Sequence, residues 1–203
     1  MAHRTYGQIC GVAQALDLLG ERWTLLVIRE LLLGPKRFGA LKDALPGIST
    51  NLLSARMKAL TEAGIVEHVQ LPAPASVSAY ALTERGEALR PTMDALAVWG
   101  FDLVEPEEQV AEGWMSRPSW LASTLAASAS PGSLGDRVVN FDIEGDRFVV
   151  RSDADGLRVR HGAAEDPDGE LSTDMRSFFE MTQGDGSPED PVAAEVLEAL
   201  AGR

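Results

Sequence analysis

The sequence predicts two folded parts of different class: a mainly α N-terminal part closed by a β-hairpin over residues 1–104, and an α+β part with an antiparallel sheet over residues 120–203. Three observations predict this. Apolar residues recur at helical spacing through the first 64 residues and then switch to period two. Residues 105–119, EPEEQVAEGWMSRPS, are acidic and carry two prolines, the composition of a connection between domains. Charge is also unevenly divided, with ten Lys and Arg against nine Asp and Glu in residues 1–100, but eight against twenty-two in residues 101–203. The net charge of -13 therefore belongs almost wholly to the second half, which suggests two domains facing different partners.

Residues 7–20, GQICGVAQALDLLG, place Val12, Leu16 and Leu19 at helical spacing and end in glycine, a common helix stop. Residues 21–35, ERWTLLVIRELLLGP, are apolar nearly all round until Gly34-Pro35 breaks them, which predicts a buried central helix. Phe38, Leu41 and Leu45 then mark a short helix that stops at Pro46-Gly47. Only Pro46 to Ile48 separate it from the next helix, for which Ser49 is a good N-cap, its hydroxyl accepting a free amide of the first turn. Along that helix Leu53, Met57 and Leu60 share one face. At about 100° per residue Asn51, Ser54, Ala55, Lys58 and Glu62 fall on the opposite face.

After Gly64 the strands IVEHVQL and SAYALT flank a Pro-rich loop, PAPASV, and predict a hairpin. Thr83 caps a further helix running to Val104, kinked at Pro91, with Leu89, Met93, Leu96 and Trp99 along one stripe. That stripe needs a partner, either a second protomer or residues 120–203 of the same chain. In the second half, residues 120–129 predict a helix. Gly145-Asp146 and Asp155-Gly156 are two-residue turns that divide residues 136–163 into three antiparallel strands. STDMRSFFEMTQG and PVAAEVLEALAG predict two closing helices. Val139, Phe141, Ile143, Phe148, Val150, Leu157 and Val159 alternate toward a covered sheet face, with Phe178 to Met181 packed on it.

Helix, tight turn, helix with a polar outer face, then hairpin is the order of a winged helix-turn-helix, whose second helix fits the ~12 Å major groove of DNA. Asn51 can pair with adenine through its amide, and Thr50 and Ser54 can donate or accept at base edges. Lys58, Lys36 and Arg37 are candidate phosphate contacts, which set register without reading sequence. Arg56 lies toward the flank of the apolar face, where an internal ion pair and a phosphate contact are both open.

The stretch from Cys10 through LGERWTLLVIREL, GPKRFGALK and LPGISTNLLSARMKALTEAGIVE to YALTERG resembles the HxlR-type winged-helix regulators, relatives of the MarR group, over residues 7–100. The resemblance implies a homodimeric transcription regulator that binds double-stranded DNA, with a recognition helix over 49–63 that begins at Ser49 and a wing over 72–78 that includes Ser76. It implies a dimer interface on the first helix and the one after the wing, through Val12, Leu16, Leu89, Met93, Leu96 and Trp99. Family members often carry a basic residue near position 51 and in the wing. Here Asn51 and the uncharged PAPASVS stand there, which implies weaker, more salt-sensitive DNA binding or dependence on dimer avidity. In the family the cysteine matching Cys10 sometimes senses oxidants or electrophiles; as the only cysteine of the chain, Cys10 is otherwise read as a small buried apolar residue.

The layout of residues 120–203 resembles sterol-carrier-protein-2-like domains, which enclose apolar ligands. That implies an apolar small-molecule effector and a pocket of Trp120, Phe141, Phe148, Val150, Val159, Phe178 and Phe179; a packed core explains the same residues. The rival to a regulator is a carrier of lipid-like molecules that uses the winged helix only to dimerise.

Other classes are not expected. His3, His68 and His161 lie far apart, and no Cys or His spacing suggests zinc. DADG at 153–156 is flanked by Arg151 and Gly162 where a calcium loop needs ligands. There is no GxSxG, GxGxxG or phosphate loop, so neither an enzyme nor a cofactor or metal site is predicted. The longest spanning-like apolar run, WTLLVI, is far short of the ~20 residues that cross a bilayer. MAHRTYGQIC has no export-type apolar region, so a cytoplasmic protein is expected.

Overall fold

Helical periodicity governs the chain as far as Glu62. In the computed structural model, which describes residues 5–71, 77–105, 115–129 and 134–202, it yields α1 (Gly11–Leu19), α2 (Thr24–Leu32), α3 (Phe38–Ala44) and α4 (Thr50–Glu62). The hairpin β1 (Val66–Gln70) and β2 (Ser78–Leu82) follows, antiparallel, with Val66 opposite Leu82 and Gln70 opposite Ser78. α2 is the central helix: Val27, Ile28 and Leu31 are fully buried against Leu41, Leu45, Leu53, Met57 and Leu60 from the next two helices. Burying such side chains contributes about 1.5–3 kcal/mol each, which outweighs the modest propensity of helices this short.

The turn between α3 and α4 depends on Gly47, whose φ of 89° lies in the left-handed region, and the Trp23 ring packs beside it. Trp23 itself holds φ at 78° where α2 begins, and the Arg22 guanidinium lies 5.3 Å from its ring centre. Ser49 caps α4 as its sequence position predicts, accepting from the Leu52 amide at 3.2 Å. Thr83 caps the helix after the hairpin in the same way, accepting from the Gly86 amide.

That helix is not the single kinked rod the sequence suggests. It is split into α5 (Glu84–Glu87) and α6 (Arg90–Phe101). Pro91 sits in the first turn of α6, where its missing N–H would have no helical partner anyway, so it opens a helix rather than bending one. Gly86 is required for close approach: a Cβ there would fall 2.3 Å from the Ile65 carbonyl oxygen.

Compactness divides the chain into Met1–Met93 and Asp94–Arg203, a boundary inside α6 rather than at 105–119. Residues 106–114 lie outside the described residues. Pro118 and Ser119, read from sequence as the end of the connection, already belong to α7 (Pro118–Ser128) and are buried.

The second unit continues with β3 (Arg137–Ile143), β4 (Asp146–Asp153), β5 (Gly156–His161), β6 (Gly169–Thr173), α8 (Met175–Gln183) and α9 (Pro191–Leu200). The expected three antiparallel strands are present, but the sheet is four-stranded and mixed, in the order β5-β4-β3-β6, because β6 pairs parallel to β3. The sequence predicts that the following helix begins at Ser172. Instead Asp174 caps α8, accepting from the Ser177 amide at 2.8 Å, and the residues before it extend as a strand. GELST has one large apolar residue, Leu171, too little for a period-two signal.

On the covered sheet face Phe141 and Phe148 stack at 5.1 Å, and Phe178 from α8 meets both edge-on at 6.2 and 6.4 Å. These three rings, with Val150 and Val159, are at most 2% exposed. Five of the seven predicted ligand-pocket residues are thus packed as a core, since edge-to-face and offset stacking fill the space between sheet and helix. Phe179 points away from them and is exposed, Trp120 is half-buried under the Arg117 guanidinium, and Leu157 is only half-buried at the start of the edge strand. No helix among the described residues is long and apolar enough to cross a membrane.

Candidate nucleic-acid interface

α4 separates its two faces sharply. Leu53, Met57 and Leu60 are buried, while Thr50, Asn51, Ser54 and Lys58 are exposed along the other side, with Ser49 exposed at the helix start. The start of the helix, where a recognition helix meets base edges, therefore exposes the Thr50 hydroxyl and the Asn51 amide, with the Ser54 hydroxyl one turn on. Lys58 lies a turn further on, 77% exposed and 3.7 Å from Glu62.

Not every predicted cation faces outward. Arg37, at the N-cap position of α3, is exposed. Lys36 is not: its side chain is only 10% exposed, and its Nζ donates to the Glu30 carbonyl at 2.7 Å and lies 3.3 Å from the Glu30 carboxylate. It is a structural ion, not a phosphate contact, because its charge is already satisfied in the interior. Arg56 is also engaged in an ion pair, its guanidinium donating to Glu21 at 3.1 Å, but this pair lies at the surface, with the Glu21 side chain 58% exposed. Ser76 and the rest of the predicted wing tip, residues 72–76, lie outside the described residues.

The geometry adds residues that sequence reasoning missed. A cleft of about 280 Å³ runs between α4 and the hairpin, lined by Ser54, Lys58, Thr61 and Glu62 on one side and by His68 and Tyr80 on the other, with Phe38 and Met57 beneath. The His68 and Tyr80 rings lie 4.3 Å apart, on directly opposed residues of β1 and β2. Arg22 is a further exposed cation. The period-two pattern of the strands located His68 and Tyr80 but carried no sign that they would stand beside α4.

Of the predicted dimer residues, Leu89 and Met93 lean on the core of their own unit. Val12, Leu16, Leu96 and Trp99 are exposed, Val12 and Trp99 by two thirds, and Ile9 and Tyr6 extend the apolar surface before α1. Cys10 occupies the N-cap position of α1 and is exposed rather than buried. The amides of Ala13 and then Val12 lower its thiol pKa, burial opposing them only weakly.

In the second unit Ser119, Asp146 and His161 form a polar cluster. His161 Nε2 lies 2.9 Å from Ser119 Oγ and 3.4 Å from Asp146 Oδ1, and the Ser119 amide donates to Asp146 Oδ2 at 2.9 Å. Burial would raise the Asp146 carboxyl. Hydrogen bonds from His161 and from the Ser119 hydroxyl and amide, with the charge of His161, outweigh it and hold it at about 2. In a nucleophile–base–acid relay the acid would sit on the other ring nitrogen. Here acid and hydroxyl share Nε2, so the cluster is a clamp joining the start of α7 to β4 and β5. No group of three or more His, Cys, Asp or Glu among the described residues could hold a metal ion.

The HxlR-like helix-turn-helix family model matches residues 18–108. Among curated proteins, the chain is 40% identical over 101 residues to sll1512 of Synechocystis sp., an uncharacterised HTH-type transcriptional regulator. That match covers 50% of this chain and 75% of the relative. It is 39% identical over 98 residues to the HTH-type transcriptional regulator YodB of Bacillus subtilis, covering 48% of this chain and 88% of YodB. Among solved structures, the reduced form of B. subtilis YodB is 37% identical, with a TM-score of 0.41, and covers 49% of this chain and 98% of its own. The matched relatives are transcriptional regulators, not enzymes.

Proposed function

Because the chain belongs to the HxlR-like helix-turn-helix family, we propose that it regulates transcription by binding double-stranded DNA as a homodimer, with α4 in the major groove. The observation that carries this reading is the exposed row Thr50, Asn51, Ser54 and Lys58 on a helix whose other face is the core of its own unit. Asn51 reads a base, Thr50 and Ser54 contribute hydrogen bonds at the groove edge, and Lys58 and Arg37 hold phosphates. Dimerisation has a physical motive: one such helix reads only a few base pairs, and two-fold pairing doubles the site. In the first unit the exposed apolar residues Val12 and Leu16 of α1 are what a second copy would cover, and in the second unit Leu96 and Trp99 are exposed in the same way.

Cys10 supplies the route for regulation. Its exposed, acidified thiol suits attack by oxidants or electrophiles, and with no second cysteine in the chain the products are an intersubunit disulfide, a mixed disulfide or an alkylated thiol. Solved structures of YodB include quinone-bound and diamide-treated forms. The packed rings of the second unit offer no comparable support for an apolar effector or for a carrier.

The test is fluorescence-polarisation binding to duplex DNA from upstream of the protein's own gene, against scrambled duplex, at ~150 mM salt, where specific binding exceeds non-specific by ~10³-fold or more. Asn51→Ala combined with Lys58→Ala removes that preference. Equal binding of the two duplexes by the reduced wild-type protein would refute the reading.

A further inference from the structure

We infer that Lys36 and Glu30 act as positioning residues for DNA binding: their buried ion pair buckles the hairpin to the end of α2 and so sets the width of the cleft between α4 and the wing. The inference rests on the DNA-binding reading above, but it concerns residues that touch no DNA.

The buckle has two halves in one residue. The Lys36 backbone exchanges both hydrogen bonds with Tyr80, N–H to O at 2.9 Å and O from N–H at 2.8 Å, which adds a one-residue third rung beside β2. Its side chain turns back to α2, where Nζ caps the Glu30 carbonyl at 2.7 Å and faces the carboxylate at 3.3 Å. Glu30 is wholly buried in the last turn of α2 and is also held by Arg29 at 2.9 Å. Tyr80 is therefore fixed through Lys36 to the most buried helix of the unit. Tyr80 in turn packs on His68, and the two rings form the hairpin wall of the cleft opposite Ser54 and Lys58. A change at Lys36 passes through one hydrogen-bonded rung to the surface that meets DNA.

Why an ion pair should do this follows from burial. A charge removed from water keeps its partner at short range, because an unpaired buried charge is so costly. An apolar contact would tolerate sliding; this pair specifies one seat for the hairpin.

The experiment uses the full chain, a fluorescein-labelled random-sequence duplex as probe, and a salt series. Lys36→Met keeps the stem and removes the charge; it should weaken binding on the order of tenfold while leaving the slope of log K against log salt unchanged. Arg37→Ala is the comparator, an exposed phosphate contact whose loss reduces the slope magnitude by about 0.9. Glu30→Gln should reproduce the Lys36→Met loss, though Glu30 cannot reach DNA, and it serves where Lys36→Met does not fold. Amide exchange at Tyr80 should accelerate in both variants more than exchange in α2.

A slope change in Lys36→Met like that of Arg37→Ala would overturn the inference, since Lys36 would then be a phosphate contact. So would wild-type affinity in Glu30→Gln, or lost thermal stability with unaltered affinity in both variants, since the pair would then be structural only. Absence of DNA binding by the wild type refutes the function itself; Tyr80 exchange still decides whether the pair seats the hairpin.

Discussion

Replacing Glu62 with glutamine should tighten DNA binding. Glu62 is 68% exposed on the outer side of α4 and lies 3.7 Å from Lys58, the cation expected to reach a phosphate. At that separation Coulomb attraction in water is about 1 kcal/mol, and exposed pairs of this kind measure about 0.2–1 kcal/mol once side-chain entropy is included. Removing the carboxylate frees Lys58 and also removes an anion from the face proposed to meet phosphates, so both effects have the same sign. Together they amount to about 0.5–1 kcal/mol, or about two- to fivefold in Kd at low salt.

The fold should not suffer. Lys58 preceding Glu62 is the weaker orientation of an i,i+4 pair, and a carboxylate in the last turn opposes the helix dipole, so the stability change stays within about 0.5 kcal/mol. Polarisation titrations at about 50 and 200 mM salt, with a melting curve as control, measure the effect, and the gain should shrink at the higher salt. Unchanged or weaker binding by a variant that melts normally would refute the placement of Lys58 against DNA.

Three further outcomes follow from the structure. Phe178→Ala removes a ring that is wholly buried against Phe141 and Phe148, and chemical denaturation should show a loss of about 3–5 kcal/mol; a loss below about 1 kcal/mol would mean that the rings border an opening. Because the folded Asp146 carboxyl titrates at about 2 instead of the ordinary 3.8, its ionised form stabilises the fold above pH 3.8 by about 2 kcal/mol, and this is lost as pH falls toward 2. Urea unfolding across pH 2–7 should show that acid limb in the wild type and a shallower one in Asp146→Asn; parallel curves would count against it. The Cys10 thiol should be alkylated by iodoacetamide at neutral pH faster than a cysteine in an unstructured peptide, with the product located by mass spectrometry; a slower rate would remove its acidification by the α1 amides.

The two-faced helix α4 was legible in sequence for a local reason. α4 spans thirteen residues between a serine cap and a glycine turn, and its 3.6-residue period alone assigns Leu53, Met57 and Leu60 to one side and Asn51, Ser54 and Lys58 to the other. The hairpin and the caps at Ser49 and Thr83 were legible for the same reason, since each rests on residues within a few positions of one another. Charge type, by contrast, carries no direction. Lys36 and Arg37 are adjacent and look equivalent as letters, yet one is buried on Glu30 and the other is exposed. Arg56 found Glu21, thirty-five residues away.

By itself, then, the sequence determined the helix-turn-helix order, the polar row on α4 and the division of charge between the two halves, because these follow from short-range periodicity and composition. Only the tertiary structure decided which cations are exposed and which are buried, that β6 joins β3 in parallel, that Phe141, Phe148 and Phe178 fill their own space, and that His68 and Tyr80 stand beside α4. Each of those depends on partners distant in sequence, and burial settles them: a charge or a ring takes the seat where the chain brings it a partner.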